Sequence, residues 1–254
     1  MISVVIVTKN EELNIKRCID SLVDWVDEIL VLDSKSEDKT RDIIKNYNSK
    51  KIKLHVVEWK GYGATKNYGL ELATGDWILS IDADEAVTEE LKVEILNSVK
   101  NTEKEGYYIP RLLFFCGKKI RYGGCYPDYN LRLIRKGKGK YSDIPVHERI
   151  LINGPKGYLK NLLYHYSYNS FSDFWNKSNV YSDLSAINMF NEGKKFTFMR
   201  SFLAFFWSLF SKLILKLGVL DGILGIYYHI FQSIYVFVKY AKLWELEQRK
   251  KGLL

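Results

Sequence analysis

The chain has 254 residues, 47% of them hydrophobic and 27% charged, enough apolar content for a sizeable core and too much for a disordered chain. Its formal charge of +8 favours an anionic partner: nucleic acid, a phosphorylated substrate or an acidic membrane face. Three cysteines, Cys18, Cys116 and Cys125, are an odd count with no C-x-x-C or metal-finger spacing, so reduced thiols in a cytosolic protein are expected.

The first half alternates strand and helix. "ISVVIV" is a short β-branched strand; "MISVVIVTKNEE" meets a lysine and two glutamates too early for a cleavable leader. "NEELNIKRCIDSLVDWV" then has helical spacing through Leu13, Cys18, Leu22 and Val26. "EILVLD" is the second strand, "KTRDIIKNY" a helix, "KLHVVEW" the third strand, and "GATKNYGLELAT" a helix for which Gly75 is the expected C′ residue. "WILSID" is the fourth strand, and Thr88 is placed to cap "EELKVEILNSVK". Such alternation predicts an α/β fold with a mostly parallel sheet and flanking helices, binding ligands at the carboxyl ends of its strands.

From Tyr107 to Tyr168 strand-like runs ("YYIPRLLFF", "NLRLIRK", "ERILI", "YLKNLLYHY") alternate with Gly and Pro. The expected domains are residues 1–168, divided into a nucleotide half (1–105) and an acceptor half (106–168), and a helical region, 169–254. The latter holds an amphipathic helix and two apolar segments, "FLAFFWSLFSKLILKLG" and "VLDGILGIYYHIFQSIYVFVKYAKLW". Charges at the centre of a spanning helix are costly. These segments are therefore expected to lie in a membrane interface. Arg200, Lys212, Lys216, Lys239 and Lys242 would sit near lipid phosphates, with Trp207 and Trp244 at headgroup depth. A dimer interface or a second core is the competing use of the same surface.

The chemistry concentrates in "ILSIDADEAV", where an apolar strand ends in Asp82, Asp84 and Glu85. Clustered acids repel and invite a cation, and Mg²⁺ or Mn²⁺ characteristically shares one or two carboxylates with substrate phosphates. A phosphatase would carry such a motif on its first strand. A nucleotidyltransferase would carry a glycine-rich loop where this chain has "VIVTKNEE". A nucleotide-sugar transferase needs an acid for the base, a metal on the diphosphate and an acceptor lobe, all present here. The rival classes are another Mg²⁺-dependent nucleotide enzyme and a non-catalytic basic membrane- or nucleic-acid-binding module. The scattered cations, apart from "RKGKGK", argue against nucleic acid.

Together, "VVIVTKNEE", "ILVLDSKSEDKT", "GYGATKNYGLELATGDWILSIDADE", "NLRLIRKGKGKY" and "VHERI" resemble a family-2 glycosyltransferase of GT-A fold, nearest the bacterial lipopolysaccharide-core β-1,4-glucosyltransferases. The resemblance implies an inverting transfer of a hexose, with glucose the guess, from a UDP-linked donor to a core or other surface-glycan acceptor. It implies Thr8, Glu11, Asp33, Lys66, Asp82, Arg132 and Arg135 as nucleotide-sugar contacts, and Asp82, Asp84 and His165 around a Mg²⁺ or Mn²⁺ ion. Glu148 is implied as general base beside His147, with Asp128 as rival. The expected partners are the donor, a glycolipid or glycan acceptor and the anionic inner face of the cell membrane, on which the protein would be peripheral; nucleic acid is not expected, and homo-oligomerisation is left open.

Overall fold

The computed structural model describes residues 1–100, 102–142 and 149–254. They form two compact units, Met1–Arg111 with Asp128–Tyr166, and Leu112–Pro127 with Ser167–Leu254. In the first unit the elements are β1 (Ile2–Thr8), α1 (Ile15–Asp20), β2 (Glu28–Asp33), α2 (Thr40–Lys45), β3 (Ile52–Val56), α3 (Tyr62–Leu72), β4 (Trp77–Asp82), β5 (Glu85–Val87) and α4 (Glu89–Ser98). β6 (Gly106–Phe115) starts in this unit and runs into the second, which also holds β7 (Lys118–Ile120); β8 (Asp128–Arg135), β9 (Lys140–Tyr141), β10 (Ile150–Leu151), β11 (Lys156–Tyr158) and most of β12 (Leu163–Tyr168) return to the first.

The strand order begins β3-β2-β1-β4, all parallel, and continues antiparallel into β8. Every residue of β1 and β2 is buried, because helices cover both faces of the sheet and an unbroken β-branched run is stable only there. Alternate side chains serve two cores. Val4 and Ile6 pack with Ile19, Leu22 and Leu91 on one face; Val5 and Val7 pack with Leu30, Leu70 and Ile134 on the other. The chain winds outward from β1 through β2 to β3, then returns to place β4 on the opposite side of β1. That reversal opens a crevice beyond the carboxyl ends of β1 and β4, where Val7 pairs with Asp82 and Thr8 with Asp33.

The mostly parallel sheet with flanking helices is as expected, and Thr88 caps α4 by accepting from Leu91 N at 3.2 Å. Two local expectations are corrected. The first helix is short, Ile15–Asp20, because Asn10 takes a left-handed conformation (φ +55°) and its side chain accepts from Glu37 N while its own N–H bonds Ser36 Oγ, tying residues 10–12 to the loop after β2. Gly75 is not a left-handed C′ residue. α3 ends at Leu72 with Ala73 already extended, and Gly75 lies against β1, where a Cβ would meet Ser3 N at 2.7 Å.

Glu28 locks this edge of the sheet. Its buried carboxylate accepts from Ser3 Oγ, Thr74 N and Thr74 Oγ1 and pairs with Lys53 at 2.7 Å. Burial alone would raise its pKa, but Lys53, Ser3 and Thr74 outweigh it and hold it at about 2. A depressed folded pKa contributes stability above the unfolded value, ordinarily 4.5, and loses it as pH falls towards 2. Glu28→Gln should therefore cost about 1.5–3 kcal/mol at neutral pH, with the gap to the parent closing across that acid window in urea unfolding followed at several pH values.

The second unit contains α5 (Phe171–Asn191), α6 (Phe198–Phe210), a π turn and a 3₁₀ turn over residues 211–221, and α7 (Gly222–Lys250). Its small core is aromatic: Phe115 meets Phe174 at 5.8 Å and Tyr228 at 5.3 Å between ring centroids. Phe115 and Ile120 pack there with Phe174 and Tyr228, so Leu112–Pro127 groups with the C-terminal helices. The expected boundary at residue 168 had placed that segment with the sheet. Among the described residues one segment, Phe198–Leu215, is long and apolar enough to cross a membrane by length and composition, with mean hydropathy 1.4.

Candidate functional site

The acids that end β4 find their first cations within the chain. Lys66, on the buried face of α3, reaches Asp82 Oδ1 at 2.8 Å; Arg132 of β8 reaches Asp82 Oδ2 at 2.6 Å and Glu85 Oε1 at 2.7 Å. Arg111 of β6 continues the series, donating to Glu85 at 3.1 Å and to Asp128 at 2.7 and 2.9 Å. Six charges thus alternate in sign: Lys66, Asp82, Arg132, Glu85, Arg111, Asp128. The antiparallel register that sets Arg111 opposite Asp128 closes the far end.

Glu85 is the hub. It is fully buried, and its second oxygen accepts from Asp82 N at 2.9 Å, fixing the turn that carries both aspartates. Burial opposes ionisation of Asp82, but Arg132 and Lys66 outweigh that and hold its carboxyl well below the usual range. Burial likewise works against the charge of Arg132, and Asp82 and Glu85 reverse it, keeping the guanidinium firmly protonated. Between its two cations Asp82 is the more open group, 30% exposed against 4% for Lys66 and 7% for Arg132, while Asp128 at the far end is 45% exposed.

Asp84 lies two residues beyond Asp82 in the same turn. His165 of β12, paired in register with Glu85, brings its Nε2 to 3.4 Å from Asp84 Oδ2. Among the described residues no three His, Cys, Asp or Glu side chains form a metal cluster. The donor set nevertheless fits a hard cation that takes one carboxylate and one imidazole here and its remaining oxygens from a diphosphate. Orphaned polar atoms lie at the same end of the sheet: Thr8 Oγ1, Ser34 Oγ, Thr65 Oγ1 and Arg132 Nε are buried without a hydrogen-bond partner. Such atoms are costly unless a polar ligand completes them.

On the β2 side of the crevice, Asp33 is buried at the strand's end and accepts from Ser36 N at 2.9 Å and Ser36 Oγ at 2.5 Å. Glu11 accepts from Asn14 Nδ2 at 2.8 Å. The expected residues Thr8, Asp33, Lys66, Asp82, Asp84, Arg132, Asp128 and His165 therefore gather at the carboxyl edge, with Glu11 three residues beyond Thr8. Arg135 does not. It pairs in register with Trp77 at the opposite end of β4, lies 5.0 Å from that ring and donates to Thr102 O. Three residues of strand carry it about 10 Å from Arg132 and turn it to the other face.

His147 and Glu148 fall outside the described residues. Their flanks are β9 and β10, paired through Tyr141 and Ile150. Asn67, next to Lys66, clamps the Tyr141 backbone with two hydrogen bonds (2.7 and 3.1 Å); the Tyr141 hydroxyl bonds Ser80 Oγ, and its ring lies 5.2 Å from Lys66 Nζ. Sequence reasoning counted Glu85 among the acids that invite a cation without assigning it to the site, and it missed Arg111, whose signal was a lone arginine within the apolar run "YYIPRLLFF".

Comparison with known proteins bears on this arrangement. The family model described as glycosyl transferase family 2 matches residues 3–190. An uncharacterized glycosyltransferase of Rickettsia typhi is 30% identical over 265 residues, covering 100% of this chain and 90% of its own. The lipopolysaccharide core biosynthesis glycosyltransferase LpsC of Rhizobium meliloti is 32% identical over 200 residues, 76% of this chain and 73% of its own. Among solved structures, S. aureus TarS 1–349 in complex with UDP-GlcNAc shares the fold, with TM-score 0.53 and 16% identity over 99% of this chain and 92% of that one.

Proposed function

The chain belongs to glycosyl transferase family 2, and we propose that it moves a hexose, with inversion, from a UDP-linked donor to a lipopolysaccharide-core or other cell-surface glycan precursor. Family membership decides against the nucleotidyltransferase and the non-catalytic module. The carrying observation is the gathering of Asp82, Asp84, Lys66, Arg132 and His165 beyond β1 and β4, beside orphaned Thr8 and Ser34 hydroxyls. The core acceptor follows the name of LpsC, and the UDP donor follows TarS by analogy of fold alone.

In this reading Thr8, Glu11 and Asp33 face the nucleoside, and Lys66 and Arg132 lie under the diphosphate. Asp84 and His165, with Asp82 adjoining, would hold a Mg²⁺ or Mn²⁺ ion, which neutralises charge on the departing diphosphate. The bond from the anomeric carbon to the phosphate oxygen breaks with its electron pair leaving on UDP. The acceptor hydroxyl attacks the opposite face and gives its proton to a carboxylate. Glu148 is the base we assign, because both Asp128 oxygens are already engaged by Arg111 and Asn130. The three cysteines are free thiols, in keeping with work in the cytoplasm where nucleotide sugars are made.

Thermal-shift measurements with UDP-, GDP-, CDP- and dTDP-sugars, with and without Mn²⁺ or Mg²⁺, test this. A UDP-sugar at a hundredfold excess over its Kd should stabilise by about 2.7 kcal/mol. Asp84→Ala and His165→Ala should lose the metal-dependent part of that shift. If they keep it the metal assignment fails, and if no nucleotide sugar stabilises the parent or releases its nucleotide the donor assignment fails.

A further inference from the structure

The formal charge of +8 is not shared between the units. Leu112–Pro127 with Ser167–Leu254 holds fourteen Lys and Arg against six Asp and Glu; the sheet unit, which carries the nucleotide site, holds twenty-four of each. The positive charge therefore belongs wholly to the helical unit. Within it, residues 193–220 contain Lys194, Lys195, Arg200, Lys212 and Lys216 and no acid.

The same stretch is exposed and apolar. α6 buries Ser201 alone, while Phe198, Leu203 and Trp207 are 61%, 58% and 64% exposed. Met199, Phe202, Phe206 and Phe210 recur at helical spacing along one side, and all are exposed. The surface continues through the turns into Leu220 and Ile223. The loop holding Lys118, Lys119 and Arg121, all exposed, is fastened to this end: Gly123 N donates to Lys216 O at 2.8 Å, and the Asp221 carboxylate accepts from Arg121 N and Tyr122 N. Of the two acids that flank the stretch, Asp221 is thus occupied by backbone and Glu192 pairs with Lys194 at 2.6 Å, which leaves Lys195, Arg200, Lys212 and Lys216.

A broad apolar face is unusual on a soluble monomer and marks an interaction surface. Its charge selects the partner. A second copy would press Lys195, Arg200, Lys212 and Lys216 against the same four, and a nucleic acid, whose bases could stack on the rings, would leave the aliphatic part of the face (Met199, Leu203, Leu220 and Ile223) uncovered. An anionic bilayer satisfies both features, taking rings and aliphatic chains into the acyl boundary and lysines at its phosphates. We infer that α6 and the turns after it dock the protein on anionic lipid, lying in the interface of one leaflet. Although Phe198–Leu215 is long enough to cross, Arg200 and Lys212 lie within it and Lys216 follows it, charges that are cheaper at the phosphates than inside the acyl layer.

The test is co-sedimentation of the full chain with vesicles of phosphatidylcholine alone or mixed with phosphatidylglycerol. Binding should need phosphatidylglycerol and weaken as salt rises. Trp207→Glu with Phe206→Glu should abolish it. Lys195→Gln, Arg200→Gln and Lys216→Gln together should weaken it about a hundredfold, near fivefold per cation. Because these side chains are exposed, an unchanged unfolding midpoint shows that the variants fold, whether or not the donor assignment holds. The inference is overturned if the protein stays in the supernatant at low salt, binds both vesicles equally, or forms a dimer by light scattering that the double variant dissolves without any vesicle binding.

Discussion

Glu85→Ala should lower the stability of the sheet unit by about 3–5 kcal/mol, the usual result of removing one partner from a buried ionic group. The size follows from what is left behind. Arg132 and Arg111 lose the carboxylate between them, Arg132 is 7% exposed and unable to rehydrate, and Asp82 N loses its acceptor. Urea unfolding measures the cost. Glu85→Gln separates charge from shape: it can still accept hydrogen bonds, so a loss nearly as large as that of the alanine variant would locate the effect in the missing charge. Arg132→Met in the Glu85→Ala background should be less than additive, since the second substitution removes a cation the first had stranded. Full additivity would mean that the alternating series is not an energetic unit. The same variants should lose donor-dependent stabilisation, because Glu85 holds the backbone of Asp82.

The second large effect concerns turnover. Glu148→Gln should reduce kcat by about 10²–10⁴ with little change in donor affinity, as expected when a general base is removed and ground-state binding is spared. Asp128→Asn should act differently. Its loss frees Arg111 from the contacts at 2.7 and 2.9 Å and disturbs the Glu85 hub, so donor stabilisation and fold stability should fall together with rate. UDP release under saturating donor and acceptor, set beside thermal shift for each variant, distinguishes the two. A larger loss of kcat in Asp128→Asn at unaltered donor binding would transfer the proton-accepting role to Asp128.

The nucleotide half was legible because its signals are local. A run such as "EILVLD" fits only a strand buried on both faces, "WILSID" ends where the acids begin, and Thr88 precedes its helix at capping distance. Asp82, Asp84 and Thr8 followed from one topological rule, that ligands meet parallel strands at their carboxyl ends, and Lys66 from the family resemblance alone. The misses are non-local. Arg111 joins the site only through the β6–β8 register, which no spacing in the chain announces. Arg135 looked equivalent to Arg132, yet an odd separation along a strand sends it to the other face and towards Trp77. Gly75 follows a helix as a terminating glycine would, but the close approach of Ser3 is what excludes a side chain there. The net charge gave no hint of its location, because the basic loop Lys118–Arg121 is contributed from mid-sequence to the C-terminal unit.

The pairing of Lys66 and Arg132 with Asp82 has one more consequence, for which anions can occupy the site. A bare cationic floor would be a trap for orthophosphate, ATP and every other small anion that outnumbers the donor. With an internal counter-ion already seated, a stray phosphate must compete against a tethered carboxylate for the same two cations. A donor that also meets the nucleoside contacts and fills the orphaned hydroxyls has extra interactions with which to win that exchange. On the proposed function, the resting site would thereby select among anions before any sugar is moved.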